Sequence, residues 1–252
     1  MEEVALRREI VESPDEDLPR RVYADWLDDH GGPADQARAE FIRLQLDLHD
    51  LPPDDESRSL LERQERRLRK KHEREWLGPV AEHLHGWAFV RGFLSHVSLQ
   101  VASLLRIHDT LLAEQPICSI RLTGTRQRGV LDELARLPFL ERITSLDLSN
   151  NYLDGVTIER LVNSPFLTHL ATLRFNDNPY GYDAIPTLVD ASALGNLRTL
   201  ELRRNNLTDS TAALLGDSMN FIHLLLLDLR GNIIGMDTRT HLRGLFQEGV
   251  RF

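Results

Sequence analysis

Three histidines, His83, His85 and His96, lie close enough along the chain to raise a metal-assisted hydrolase. A zinc hydrolase helix needs two histidines four residues apart with a glutamate between them as base, and neither that spacing nor that glutamate is present. The chain has a single cysteine, Cys118, which rules out an intrachain disulfide and any site built on two thiolates. At the approach to a strand, Cys118 fits a small packing residue better than a nucleophile. There is no phosphate-binding glycine loop, no G-x-S-x-G elbow, no dinucleotide fingerprint and no calcium loop. Neither a catalytic residue, nor a metal ligand, nor a cofactor is therefore expected. A hydrolase site near the three histidines is kept as one alternative.

Two further clusters invite a binding role. The run Arg66-Arg67-Leu68-Arg69-Lys70-Lys71 has the charge of a nucleic-acid contact, but the acids interleaved with it leave residues 51–80 at only +1. A solvated helix carrying i,i+4 pairs such as Glu62/Arg66, Glu65/Arg69 and Arg69/Glu73, with Leu61, Leu68 and Trp76 along one edge, accounts for that composition. Tyr23, Asp25 and Trp26 are a possible docking group. Their plainer role is two inward-facing aromatics and an acid that holds a nearby arginine or caps a helix.

The elements that position everything downstream are set by an internal period. Ile143–Leu153, Leu170–Tyr180, Leu197–Leu207 and Leu224–Ile234 align at an offset of 27 residues on the template L-x-x-L-x-L-x-x-N-x-L, with Asn151, Asn178, Asn205 and Asn232 in register. Leu146 and Leu148 point to one face of a short strand and Asp147 to the other. The helical pattern that follows, Ile158, Leu161 and Val162, makes one apolar stripe. No single coil can bury both its strand face and its helix stripe, so coils must stack. The four asparagines are expected to bond loop backbone that would otherwise be buried without partners.

These segments resemble leucine-rich repeats, and the 27-residue period resembles the ribonuclease-inhibitor subtype with a helix in each repeat. The fold class this implies is α/β: a short curved solenoid with parallel strands on the concave side and helices on the convex side. Strands about 4.8 Å apart and helices about 8–10 Å apart make such a stack bend. Ile117–Thr125 fits as a degenerate repeat with Thr125 in place of the asparagine, Val97 and Leu99 start the strand series, and a helix with Leu104, Leu105, Ile107, Leu111 and Leu112 follows them. Six strands are expected, with Leu242, Leu245, Phe246 and Phe252 sealing the last coil.

Outward positions on successive strands then form columns. One contains Arg121, Asp147, Arg174, Glu201 and Asp228; the next contains Thr123, Ser149, Asn176, Arg203 and Arg230, with Arg204 beside it. Alternating signs favour pairing within the ladder. The arginines Arg203, Arg204 and Arg230 are the expected receiver of a carboxylate-bearing protein segment, because guanidinium groups suit bidentate contacts. The expected protein-binding set is Arg121, Asp147, Arg174, Asn176, Glu201, Arg203, Arg204, Asp228 and Arg230.

Ahead of the repeats the sequence is helical. Val4, Leu6 and Ile10 start a helix that stops before Ser13-Pro14, where Ser13 fits an N-cap and Pro14 a first helical residue. Leu18, Val22, Tyr23, Trp26 and Leu27 follow at helical spacing up to Gly31-Gly32-Pro33, and Ala37, Phe41, Leu44, Leu46 and Leu48 make a third helix. The strings Pro19–Leu27, Glu40–Gln45, Trp76-Leu-Gly-Pro79 and Val90-Arg-Gly-Phe93 resemble the bacterial repeat-companion domain, which precedes leucine-rich repeats in some genomes and brings no known catalytic residues. That resemblance implies a small all-α N-terminal domain at 1–50, a linker and charged helix at 51–92, and repeats at 93–252.

The net charge is -9, and residues 1–50 alone carry -8. That balance disfavours nucleic acid and anionic membrane as partners. The acidic start, the single cysteine and the absence of an 18-residue apolar run favour the cytoplasm. The function expected is a non-enzymatic module for binding a protein partner. An inhibitor or immunity protein for a toxic enzyme is the first alternative.

Overall fold

The computed structural model describes residues 2–126 and 129–252. The chain divides into two compact units: Met1–Val97 with Ile107–Ile117, and Ser98–Arg106 with Cys118–Phe252.

The first unit begins with helices α1 (Glu2–Glu12), α2 (Leu18–His30), α3 (Pro33–Asp50) and α4 (Arg58–Leu77). Ser13 and Pro14 lie in the turn after α1 rather than opening α2; Asp17 takes the N-cap and Pro19 sits in the first turn, where its missing N–H costs nothing. The buried face of α2 is Arg20, Tyr23, Ala24 and Leu27, while Leu18 is 70% exposed. Ile10, Tyr23, Ala24, Leu27, Ala39, Ile42, Leu46 and Phe93 form one core, with Trp26 at its edge. Asp25 pairs with Arg43 at 2.6 Å, as the plainer reading of that cluster expected. On α4, the pair Glu65/Arg69 forms at 3.2 Å, whereas Glu62 pairs with Arg58 instead of Arg66.

Two strands, β1 (Leu84–Val90) and β2 (Phe93–Gln100), are neighbours joined at Arg91-Gly92. Both turn residues have positive φ, 50° and 85°, as a type I′ hairpin requires. A Cβ at Gly92 would come within 2.6 Å of the Ile42 side chain, so only glycine fits. Its N–H donates to Gln45 Oε1 at 2.8 Å, and Arg91 donates to the carbonyls of Pro14 and Asp15 at 2.8 and 2.7 Å. Residues 51–92 thus fold with the helices of the first unit. Helix α5 (Val101–Glu114) follows, its second half also in that unit.

The second unit repeats a strand and a helix. Its strands are β3 (Ser119–Thr123), β4 (Ser145–Asp147), β5 (Thr172–Arg174), β6 (Thr199–Glu201), β7 (Leu226–Asp228) and β8 (Val250–Arg251), all parallel and paired in chain order. Between them run α6 (Val130–Leu134), α7 (Gly155–Val162), α8 (Ile185–Asp190), α9 (Asp209–Asp217) and α10 (Met236–Phe246). Leu146, Leu173, Leu200 and Leu227 stand in register at the 27-residue step, and each is at most 2% exposed. Ile158, Leu161 and Val162 are buried on the α7 stripe.

The six expected strands are therefore eight among the described residues, the additions being β1 and β8. β8 places Val250 beside Leu227 and Arg251 beside Asp228. Of the expected C-terminal seal, Leu242 is fully buried while Leu245 is 48% exposed.

Candidate functional site

The asparagines of the repeat set the geometry of the strand ends. Asn178 donates from Nδ2 to the carbonyls of Leu148 and Phe175 at 3.2 and 3.1 Å, and its Oδ1 accepts from the N–H groups of Asn151 and Leu153 at 3.1 and 3.0 Å. Asn232 does the same two periods on, toward Leu202 and Leu229 and from Asn205 and Leu207. Asn151, Asn178 and Asn232 thus satisfy backbone in their own coil and in the one before it, and Asn205 satisfies backbone of the one before it, a structural task. Thr125 is too short for this: its hydroxyl is buried with no hydrogen-bond partner among the described residues.

With the strand ends fixed, the outward side chains fall into a row. Arg121, Asp147, Arg174, Glu201 and Asp228 occupy the same register position on β3 to β7. Arg121 approaches Asp147 at 3.6 Å and Arg174 approaches Glu201 at 2.9 Å. Two residues along, Asn176 donates to Glu201 Oε2 at 2.9 Å and accepts from the Arg203 N–H at 2.8 Å. Arg203 lies 3.3 Å from Glu201 and 2.8 Å from Asp228, although its Nε is not aligned for a hydrogen bond there. Arg230 clasps Asp228 at 2.7 Å. Arg204 turns away from this group and pairs with Asp177.

The pairing leaves the two signs unequally exposed. The acid side chains Asp147, Glu201 and Asp228 are 18%, 11% and 0% exposed, whereas Arg121, Arg174, Arg203 and Arg230 are 49%, 40%, 33% and 46%. The row therefore presents guanidinium edges to solvent over a floor of carboxylates. Burial works to raise the Asp228 carboxyl, but the hydrogen bonds from Arg230 and the charges of Arg203 and Arg230 outweigh it and hold it below the usual carboxylate value. Asp177 is likewise held low, chiefly by its hydrogen bond from Arg204.

Asp177 was not among the residues expected from sequence. The signal was available: Asp177 precedes Arg204 by one period, in a column Asn150, Asp177, Arg204, Gly231 that adopts positive φ throughout (62°, 58°, 50° and 75°). Asn, Asp and Gly tolerate that conformation, and Arg is strained in it. His83 ends the 3-10 turn before β1, His85 lies on β1 and His96 on β2. Among the described residues no three His, Cys, Asp or Glu side chains are grouped to hold a metal ion.

The sequence model described as Leucine Rich Repeat matches residues 142–164, the stretch that supplies β4, Asn151 and α7. The matched stretch is similar to a leucine-rich repeat, a kind of repeat that typically serves protein–protein interaction, and the coils around it give the chain a mixed α/β class. No curated protein matches the chain. No helix among the described residues is long and apolar enough to cross a membrane.

Proposed function

We propose that the second unit is a non-enzymatic recognition module that takes an acidic segment of a protein partner along the outward row of β3 to β7. The observation that carries this reading is the exposure inequality: every acid of the row is held beneath an arginine, so what faces solvent is a file of fixed guanidinium groups. Fixed donors lose little freedom on binding, which is where a solenoid surface gains affinity. Arg204 adds to the case, because a strained backbone at a position where glycine or asparagine would be easier is a mark of function. A free acidic face for a basic toxin is not offered by this row, so the inhibitor reading ranks below it.

On the same reading the coils belong to the ribonuclease-inhibitor subtype, each having a helix, and their sheet side is concave. The first unit is the repeat-companion domain. The four strings of that resemblance meet within it: Phe41 lies 4.5 Å from Trp76, Tyr23 lies 5.8 Å from Phe93, and Gly92 abuts Ile42. The single cysteine fits a reducing, cytoplasmic setting.

The test is affinity capture with a variant that does not strand a charge. Because Asp228 is fully buried, Arg203→Gln, Arg204→Ala and Arg230→Gln are combined with Asp228→Asn. A partner held by the parent chain and released by this variant, with unchanged circular dichroism, supports the reading. Retention of every partner ends it.

A further inference from the structure

The first unit contains a cavity of about 290 Å³, lined by α1, α2, α3, the end of α4, β2 and the second half of α5. At its wall is Arg38, 9% exposed. Four aromatic rings surround the guanidinium, those of Trp76, Phe93, Phe89 and Phe41, with centroids 4.9, 5.3, 5.4 and 5.6 Å from Cζ. No carboxylate pairs with it among the described residues, and Nη1 is buried with no hydrogen-bond partner.

A buried guanidinium is retained at a cost, since the rings' quadrupoles recover only part of the lost hydration. Burial pushes its pKa down to about 9, so it is still charged at neutral pH. Replacing such a charge with an apolar residue is often neutral or stabilising, which leaves its presence at a cavity wall to be explained by what enters the cavity.

The acids of the lining are engaged elsewhere. Glu3 accepts from the Tyr23 hydroxyl at 3.1 Å, Glu114 pairs with Arg7 at 3.1 Å, Asp35 accepts from the Gly32 N–H at 2.9 Å and Glu75 meets His72 at 3.2 Å. None turns to Arg38, and together they oppose a multiply charged anion such as phosphate. Leu27, Leu77, Val80 and Leu111 supply hydrocarbon walls, while Arg7, already held by Glu114, and Thr110 and Gln115 supply polar ones. The volume is at the small end of ligand pockets, about 300 Å³.

We propose that this cavity binds a small organic monocarboxylate with an apolar body, its carboxylate pairing with Arg38 and its hydrocarbon part lying against Trp76, Phe93 and Leu111. The pairing supplies the missing acceptor in bidentate form, and it is independent of any partner bound by the repeats.

The probes are phenylacetate, benzoate and hexanoate, with phenylacetamide and sodium phosphate as controls at equal ionic strength. Titration calorimetry and the melting temperature of the full chain are the readouts. At least one carboxylate should bind saturably and raise the melting temperature, with phenylacetamide and phosphate at least tenfold weaker. Arg38→Met should lower carboxylate affinity at least tenfold. Ala34→Trp, which fills the half-exposed mouth and leaves Arg38 intact, should do the same and carries the test if Arg38→Met does not fold. The proposal is overturned if none of the three carboxylates binds, if amide or phosphate binds as well as the carboxylates, or if a folded variant of either kind binds undiminished.

Discussion

Asp228 in the second unit and Arg38 in the first are both charged groups taken out of water, and they are treated in opposite ways. Asp228, fully buried, has Arg230 at 2.7 Å and Arg203 at 2.8 Å. Arg38 has four rings and, among the described residues, no carboxylate. In a stack of coils, whatever one coil leaves unpaired the next can meet at the same register, because the neighbour is always at strand distance. A cluster of helices has no such guarantee. A charge unmatched within it stays unmatched unless something else supplies the partner.

The largest effect should come from breaking the matching where it is most complete. Asn178→Leu removes five hydrogen bonds that satisfy two coils and strands their buried N–H and C=O groups. A loss of about 3–4 kcal/mol is expected, read by urea denaturation followed by far-UV circular dichroism. A loss under about 1 kcal/mol would mean that the asparagines are incidental to the stack. Asp228→Leu comes next. Its arginines are half exposed and can turn to water, so the cost should fall to about 2 kcal/mol, short of the 3–5 kcal/mol of a wholly buried pair.

The same comparison has a pH form. Asp228 and Asp177 are held below the ordinary carboxylate value, so their contribution is complete above the unfolded pKa of about 3.9 and is lost as pH falls through the folded values. Arg38 runs the other way. Its folded pKa, about 9, lies below the ordinary guanidinium value; the penalty is full below pH 9 and eases as pH rises beyond it. Tyr23, pushed up to about 12 by burial, begins to oppose this above pH 10, which leaves pH 9–10 as the clean window. Arg38→Met should stabilise the unliganded chain by about 1 kcal/mol at pH 7, with the gain shrinking between pH 9 and 10. Trp26, Trp76 and Trp87 all lie in the first unit, so tryptophan fluorescence follows that unit alone. A destabilised Arg38→Met would show that the aromatic cage more than offsets burial.

How far the sequence reveals this follows from the same contrast. A coil repeated four times at 27 residues announces its strand register, its core leucines and its outward columns, so pairing along the column, as in Arg174–Glu201, was expected before its geometry was known. What lacks repetition was not legible. β8 is two residues long, too short to fill the template. The β1–β2 hairpin turns on Arg91-Gly92, where the usual first residue is asparagine, and α2 buries Arg20 while exposing Leu18 and Val22. Arg38 reads as surface in any hydrophobicity pattern. Its cage is assembled from residues 41, 76, 89 and 93, which no local spacing brings together.

The smallest expected change separates stability from recognition. At the position of Arg204 the other coils carry Asn150, Asp177 and Gly231, all at positive φ, and Arg204 is tied there to Asp177 by an exposed pair that adds little stability. Arg204→Asn restores a residue suited to that backbone, so the urea midpoint should stay where it is or rise slightly. Partner capture should fall, because the most exposed guanidinium of the group is gone. A midpoint drop as large as that of Asp228→Leu would make Arg204 part of the matched scaffold and remove it from the recognition surface. An unchanged midpoint with reduced capture would assign Arg204 to recognition, its pair with Asp177 serving to orient the guanidinium rather than to hold the fold.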